Sequence, residues 1–336
     1  LSWRIYKESL DARKETDVHF TYCLDCKVRH EDAVLNKHIK DVTHVQEYHY
    51  VYPKKGIVGL RNRPVVVGFG PAGMFAALLL AQMGYCPLVI ERGQCVEERV
   101  KSVEDFWQSG RLHPQSNVQF GEGGAGTFSD GKLTTRSKDL RVHKVLEELV
   151  RFGAPADILY TAHPHIGTDL LRDIVKQLRK EIIALGGEVR FSSCLQDLII
   201  EKGELCGIVI NGEQIPAEQL ILSIGHSARD TYRMLQNRGV TMHPKAFAIG
   251  ARIEHPQTLI DQAQYKGHAG HPRLHAAEYR LTHTASNGRG VYTFCMCPGG
   301  SVVPSASMEG GVVVNGMSEH ARDQENANSA LLVQRS

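Results

Sequence analysis

Cysteine is scarce in this chain. Eight occur in 336 residues, too few and too scattered for the disulfide-dense scaffold of a small secreted domain. Long apolar runs are missing as well. None approaches the roughly 18 residues needed to cross a bilayer. The opening Leu1-Ser2-Trp3-Arg4-Ile5 lacks the basic-then-apolar layout of a secretory leader. There is no internal repeat and no low-complexity tract. Charge of one sign is also wanting: 39 Lys and Arg against 37 Asp and Glu leave a formal net charge of +2. A near-neutral chain has no global electrostatic reason to bind nucleic acid or an anionic membrane. The expectation is a reduced, cytoplasmic protein acting on a small-molecule substrate, with neither nucleic acid nor membrane as partner. Oligomeric state is not legible.

What is present is an ordinary globular composition, 42% hydrophobic and 23% charged. The length suggests about two domains of ~150 residues each. Residues 1–60 read as a small N-terminal α+β module. Residues 4–14 have the composition of a strand and a short helix, 18–24 form a β-branched and aromatic strand, and 45–52 a second β-prone run. The breaker cluster Pro53-Lys54-Lys55-Gly56 marks its boundary.

Residues 61–245 read as a Rossmann-like α/β domain with a helical insertion around 100–185. Val65-Val66-Val67 and Leu88-Val89-Ile90 are short apolar runs of the buried parallel kind. A helix over 72–83, stopped by Gly84, joins them. Helices are predicted over 96–107, 142–152 and 167–185, with a glycine-rich loop over 109–138. A strand over 188–191 follows, then a hairpin of 195–201 and 207–211 turned by Lys202-Gly203, and a buried strand running into Gly225. Residues 246–336 turn to short β runs, at 247–253, 278–282, 291–295 and 312–315. They read as a partial, β-rich substrate domain, and 328–333 as the start of a further element.

Gly68-Phe69-Gly70-Pro71-Ala72-Gly73 matches G-x-G-x-x-G. Alone the pattern is weak. Here it follows a buried strand and opens a helix, and Glu91 closes the next strand 18 residues past Gly73. Each part has a physical task. Gly68 permits the tight turn, Gly70 lets backbone approach a pyrophosphate, and Gly73 lets helix and strand pack closely. The helix N-terminus offers free N–H groups to phosphates. Glu91 accepts hydrogen bonds from a ribose and disfavours a 2′-phosphate.

The stretch from Val65 to Gly73, followed by Val89-Ile90-Glu91-Arg92-Gly93, resembles the opening of two-dinucleotide-fold flavoproteins. So do the later hairpin and the strand into Ser223-Ile224-Gly225. The loop Phe120-Gly121-Glu122-Gly123-Gly124-Ala125-Gly126-Thr127-Phe128-Ser129-Asp130-Gly131-Lys132-Leu133 is similar to one in a bacterial family of uncharacterised FAD-dependent dehydrogenases. The same holds for Ser223 to Asp230, Cys295 to Gly300, Val313 to Ser318 and the early Ser9 to Lys14. The resemblance implies FAD, an oxidoreductase fold and hydride transfer between flavin and an unidentified substrate. With one G-x-G-x-x-G, NAD(P)H stays open as electron donor. Cofactor contacts are expected at Gly68, Gly70, Pro71, Ala72, Gly73, Glu91, Arg92, Gly123, Gly124, Gly126, Thr127, Ser129, Gly131, Leu195 and Gly225. Such flavoproteins usually return to the FAD domain near the C-terminus, and no such motif is present here. A fragment or truncated product is therefore expected. Two other readings stay open: a degenerate, non-catalytic flavin binder, and an NAD-dependent dehydrogenase.

Four residues are catalytic candidates: Lys132, His226, Cys295 and Cys297. Lys132 ends the glycine loop, where positive charge would stabilise reduced flavin. His226 follows Gly225 as an acid or base, against an equal reading as a structural histidine. Arg229 is a substrate clamp or an ion-pair partner. Cys295 and Cys297 are a redox pair or, as one intervening residue strains a disulfide, buried free thiols. No metal is expected. Cys23, Cys26 and His30 lack a fourth ligand. The histidines at 268, 271 and 275 are separated by Gly270 and Pro272, which break a shared helical face.

Overall fold

Two apolar tripeptides set the frame. The computed structural model describes residues 2–14, 16–135 and 137–335. Leu1, Glu15, Arg136 and Ser336, which fall within the segments read above, lie outside the described residues. Val65–Val67 (β3) and Leu88–Ile90 (β4) are fully buried and pair in parallel. β4 also pairs in parallel with Glu188–Arg190 (β5), and β3 with Leu220–Leu222 (β9), giving the order β5-β4-β3-β9. Side chains alternate across a strand, so each tripeptide feeds two cores. Val66 and Val89 face the helices Pro71–Gln82 (α2) and Thr168–Ala184 (α5), where Leu78, Ala81, Leu178 and Ile182 join them. Val65, Val67, Leu88 and Ile90 face an antiparallel meander of Leu195–Glu201 (β6), Glu204–Ile210 (β7) and Glu213–Pro216 (β8). The unit is a three-layer stack of meander, parallel sheet and helices.

Val96–Ser109 (α3) and Arg141–Arg151 (α4) complete the helical side, and Arg229–Asn237 (α6) packs near β6. C-terminal to these, Phe247–Pro256 (β10), Gly290–Cys297 (β12), Thr282–Thr284 (β11) and Asn326–Arg335 (β15) form an antiparallel sheet of order β10-β15-β12-β11. Ser301–Pro304 (β13) pairs with Val314–Met317 (β14). The sheet carries a helix, Gln257–Tyr265 (α7), that sequence reading missed. The run expected over 278–282 forms its strand only from Thr282.

The N-terminal module differs from expectation. Residues expected to hold a strand and a short helix form one strand, Ser2–Lys14 (β1), paired antiparallel to Asp17–Lys27 (β2) with a register shift between Ile5 and Lys7. Cross-strand pairing against an aromatic partner overrides the helix propensity of Glu8 to Lys14. A short helix follows at Glu31–Leu35 (α1). The β-prone run over 45–52 is not a strand. It lies on the helical layer instead: Tyr52 Oη donates to Gln82 Oε1 at 2.9 Å, and Lys144 sits 5.7 Å and 5.2 Å from the Tyr50 and Tyr52 ring centres.

The accessible surface is 20,555 Å², against about 14,000 Å² for a compact monomer of 37.3 kDa. The excess lies on extended parts. Phe247, Ile249 and Ile253 line one exposed face of β10, joined by Leu331 of β15. Trp3, Tyr6 and Leu24 are exposed on the N-terminal ribbon.

One buried pair ties the glycine loop to the C-terminal sheet region. Asp130, 3% exposed, receives Arg322 Nε at 2.9 Å and Nη2 at 2.5 Å. Burial opposes the Asp130 charge, but Arg322 and Lys132 outweigh it and hold the carboxyl below its ordinary range. Asp130→Asn leaves a buried guanidinium unneutralised, and we expect unfolding free energy to fall by about 3 kcal/mol in denaturant titration. A loss under ~1 kcal/mol would show that the pair is not structural.

Candidate functional site

The turn after β3 is shaped by backbone approach. Gly68 has φ 97° and donates its N–H to Ile90 O at 2.7 Å. A Cβ there would collide with Ser223 O, and one on Gly73 would collide with Gly68 O, so the turn packs against the end of β9 and α2 packs against the turn. Pro71 stands at the start of α2, with no acidic residue in the first turn. The first intrahelical bond runs from Met74 N–H to Gly70 O at 2.9 Å. The N–H groups of Ala72 and Gly73 have no acceptor in the helix, and they carry the positive end of its dipole.

Glu91 organises what surrounds this turn. It is 4% exposed. Oε2 accepts the Phe69 N–H at 2.7 Å, and Oε1 accepts the N–H of Gly93 and of Gly121, each at 2.9 Å. Sequence reading assigned this carboxylate to a ribose. The structure gives both oxygens to three backbone N–H groups, and of about four lone-pair positions one remains toward the cleft that Glu91 lines. Gly123 N–H donates to Phe69 O at 2.8 Å, which draws the glycine loop onto the turn.

Between these parts lies a cleft of about 500 Å³. Gly68, Gly70, Pro71, Ala72, Glu91, Arg92, Gly124, Gly126, Leu195, Gly225 and His226 all line it. Gly73, Gly123, Thr127, Ser129, Gly131 and Lys132 do not. Thr127 Oγ1 donates to Glu122 O at 3.2 Å, and Ser129 Oγ to Gly126 O at 2.8 Å. The loop is therefore a folded 3₁₀ turn, Gly124–Phe128, with Thr127 and Phe128 buried. Sequence reading missed Phe120, Ser193, Cys194, Thr231 and Tyr232 as lining: Phe120 opens the glycine loop, Thr231 and Tyr232 belong to α6, and Ser193 and Cys194 lie before β6 with no motif of their own. The Arg92 guanidinium lies 4.4 Å from the Phe120 ring centre and grips Asp230 at 2.9 Å and 2.5 Å. Arg229 is exposed at the start of α6, and its neighbour Asp230 makes the pair. His226 Nε2 lies 3.2 Å from Ser227 Oγ.

Lys132, Cys295 and Cys297 meet at a second place. Lys132 Nζ donates to Met296 O, between the two cysteines, and lies 3.0 Å from Asp130 Oδ2. Burial pushes both thiols up, against the pull of Lys132, which disfavours thiolate. All eight cysteines are free. Among the described residues no group of three or more His, Cys, Asp and Glu could hold a metal ion, and no helix is long and apolar enough to cross a membrane.

Beneath the glycine loop sit two charged groups that the sequence did not announce. Arg99, fully buried on the amphipathic α3, donates to the carbonyls of Asn117, Val118 and Glu122. Burial pulls its pKa down to about 10, against Glu91 and Glu122. Glu122 is also fully buried. Its Oε2 accepts the Val96 N–H at 2.8 Å and lies 3.2 Å from Arg179 Nη1, while Oε1 has no partner among the described residues. Burial raises its pKa to about 7, against Val96 and Arg179.

The cleft fits a dinucleotide. Its turn has no side chain to obstruct a diphosphate, the helix end offers only donors, and the single carboxylate has an acceptor left for a hydroxyl.

Residues 246–336 match the family described as "FAD-dependent protein, C-terminal domain-like". Over 331 residues the chain is 55% identical to an uncharacterized protein of Clostridium beijerinckii, covering 98% of this chain and 62% of that protein. The chain thus spans less than two thirds of the length of this curated relative. Among solved structures it is 13% identical to the glycerol-3-phosphate dehydrogenase of Bacillus halodurans complexed with FAD, over 81% of this chain and 47% of that one, with a TM-score of 0.39. It is also 13% identical to the flavin-dependent brominase Bmp2, over 80% and 55% of the chains, with a TM-score of 0.41.

Two outcomes follow from this geometry. Glu91→Gln turns an amide NH2 toward backbone donors, and we expect a loss of about 2 kcal/mol in unfolding free energy, with weaker binding of any ligand in the cleft. Glu122 binds its proton more tightly folded than unfolded, so stability is greatest below its ordinary value of 4.5 and declines as pH rises toward about 7. The full effect is about 3 kcal/mol. Glu122→Gln should flatten that part of the stability-versus-pH curve; an unchanged slope would mean another group titrates there.

Proposed function

We propose that this chain is the FAD-binding part of a flavin-dependent oxidoreductase of the cytoplasm, acting on a small molecule whose identity is open. The reading is carried by one observation: a glycine turn and a helix N-terminus face a cleft closed by a buried carboxylate. The family match over 246–336 supports it. FAD, when bound, supplies the hydride-accepting chemistry. The chain's own contributions are then specific. The first-turn N–H groups of α2 hold the diphosphate, Glu91 accepts a ribose hydroxyl, and Arg92 and Phe120 wall the adenosine end. His226, at the cleft edge, is the group placed to hold a proton. Lys132, fixed by Asp130, carries positive charge away from this cleft and toward the Cys295–Cys297 strand, where a substrate anion would meet it. NAD(P)H stays open as the electron donor.

The test is the visible absorption spectrum of the purified chain, followed by flavin titration. The expected result is yellow protein that releases FAD on denaturation. Gly70→Val fills the cleft without backbone strain, since the nearest atom to a Cβ there is Gly124 Cα at 3.6 Å. It should weaken FAD at least about tenfold while leaving the melting temperature of flavin-free protein unchanged. Protein that stays colourless with added FAD and binds NAD would overturn the reading in favour of an NAD-dependent dehydrogenase.

A further inference from the structure

A second cavity of about 640 Å³ opens beside the cofactor cleft, with Arg92, Cys194, Leu195 and Thr231 as a common wall. Four of its polar side chains share one pattern. Gln94 Oε1 accepts from Ser102 Oγ at 2.6 Å, Gln115 Oε1 from Arg92 Nε at 2.9 Å, and Gln196 Oε1 from the Gly212 N–H at 2.7 Å. His113 Nδ1 accepts the Ser116 N–H at 3.0 Å. In all four side chains the acceptor is used inside the protein and the donor is left over. Three carboxamide NH2 groups and an imidazole Nε2–H thus remain, with no partner among the described residues.

The groups that would offset this are already engaged. Each Asp230 oxygen accepts one N–H of Arg92, so the pair adds no net negative charge to the lining, and the guanidinium keeps further N–H groups. Asn211 is used on both sides, accepting the Cys194 N–H at 3.1 Å and donating to Ser192 O at 2.8 Å. Burial pushes the Cys194 thiol up, so it adds no negative charge. The volume lies in the range of small-molecule sites, about 300–1,000 Å³.

We propose that this cavity binds a small metabolite through its oxyanion groups, phosphate or carboxylate, on the free donors of Gln94, Gln115, Gln196 and His113. The inference does not depend on the flavin reading, because none of its donors belongs to the glycine turn.

The local bonds supply a clean test. Gln196→Glu and Gln94→Glu each keep the oxygen that accepts the internal bond and replace the outward NH2 with a charged oxygen. The full 336-residue chain is titrated calorimetrically with inorganic phosphate, with citrate and with glucose as a neutral control, with and without saturating FAD. Phosphate or citrate should bind and glucose should not, and the stronger of the two anions identifies phosphate or carboxylate as the preferred group. Each variant should weaken the anion at least about tenfold with its melting temperature retained. If one variant fails to fold, the other carries the same comparison. The proposal is overturned if no anion binds, if glucose binds equally, or if both folded variants bind as the parent does. It is also overturned if FAD displaces the anion, since the cavity would then be the cofactor's own.

Discussion

A single buried carboxylate holds the site together. Glu91 ends β4, yet its partners lie in three separate segments: the turn after β3, its own turn at Gly93, and the glycine loop at Gly121. An ionised carboxylate accepting several N–H groups is stronger than neutral pairs would be, and it spans distances that backbone alone would not close here. The parallel sheet positions Glu91, and Glu91 positions the loop. The cleft exists because these segments share one acceptor.

The layer below follows the same logic with opposite sign. The glycine loop has too few side chains to fill its own interior, so Arg99 enters from α3 and satisfies three of its carbonyls. That brings a cation into a dry interior, where Glu91 and Glu122 are the compensating groups. Glu122 is only partly served by Val96 and Arg179. The glycine loop is thus stiffened from behind by charge as well as by the apolar cluster of Val103, Val118 and Phe128.

How much of this was legible depended on whether the signal was local. The strand–turn–helix around Gly68 and the acid at 91 could be read because each residue answers a local demand: a positive φ, a close approach, an end of a strand. The two cores were implied by tripeptides too short to be anything but buried parallel strands. The role of Glu91 was half legible, since a ribose acceptor and a backbone clamp call for the same residue. Arg99 and Glu122 were not legible, because an Arg on an amphipathic helix reads as a solvated charge until the facing loop is known. The strand from Ser2 to Lys14 and the coil over 45–52 failed for a related reason. Propensity is weak where a neighbouring strand, or the lack of one, decides. Lys132, expected beside a flavin, does not line the cleft and donates to the Met296 carbonyl instead.

The strand order of the C-terminal sheet has a kinetic side. β15 lies between β10 and β12, and its register with β10 joins residues roughly 70 to 90 positions apart. β10 and β12 share no hydrogen-bonded border, so neither can template the other. The sheet must wait for the strand that inserts between them, and the loop-closure entropy falls due before any ladder bond is gained. The parallel unit closes its β3–β4 pairing over a far shorter stretch, but its β4–β5 and β3–β9 pairings join residues roughly 100 and 155 positions apart. Both sheets therefore wait on distant strands. In the interval β10 presents unpaired apolar edges, which makes this region the point at which a folding chain is most exposed to self-association.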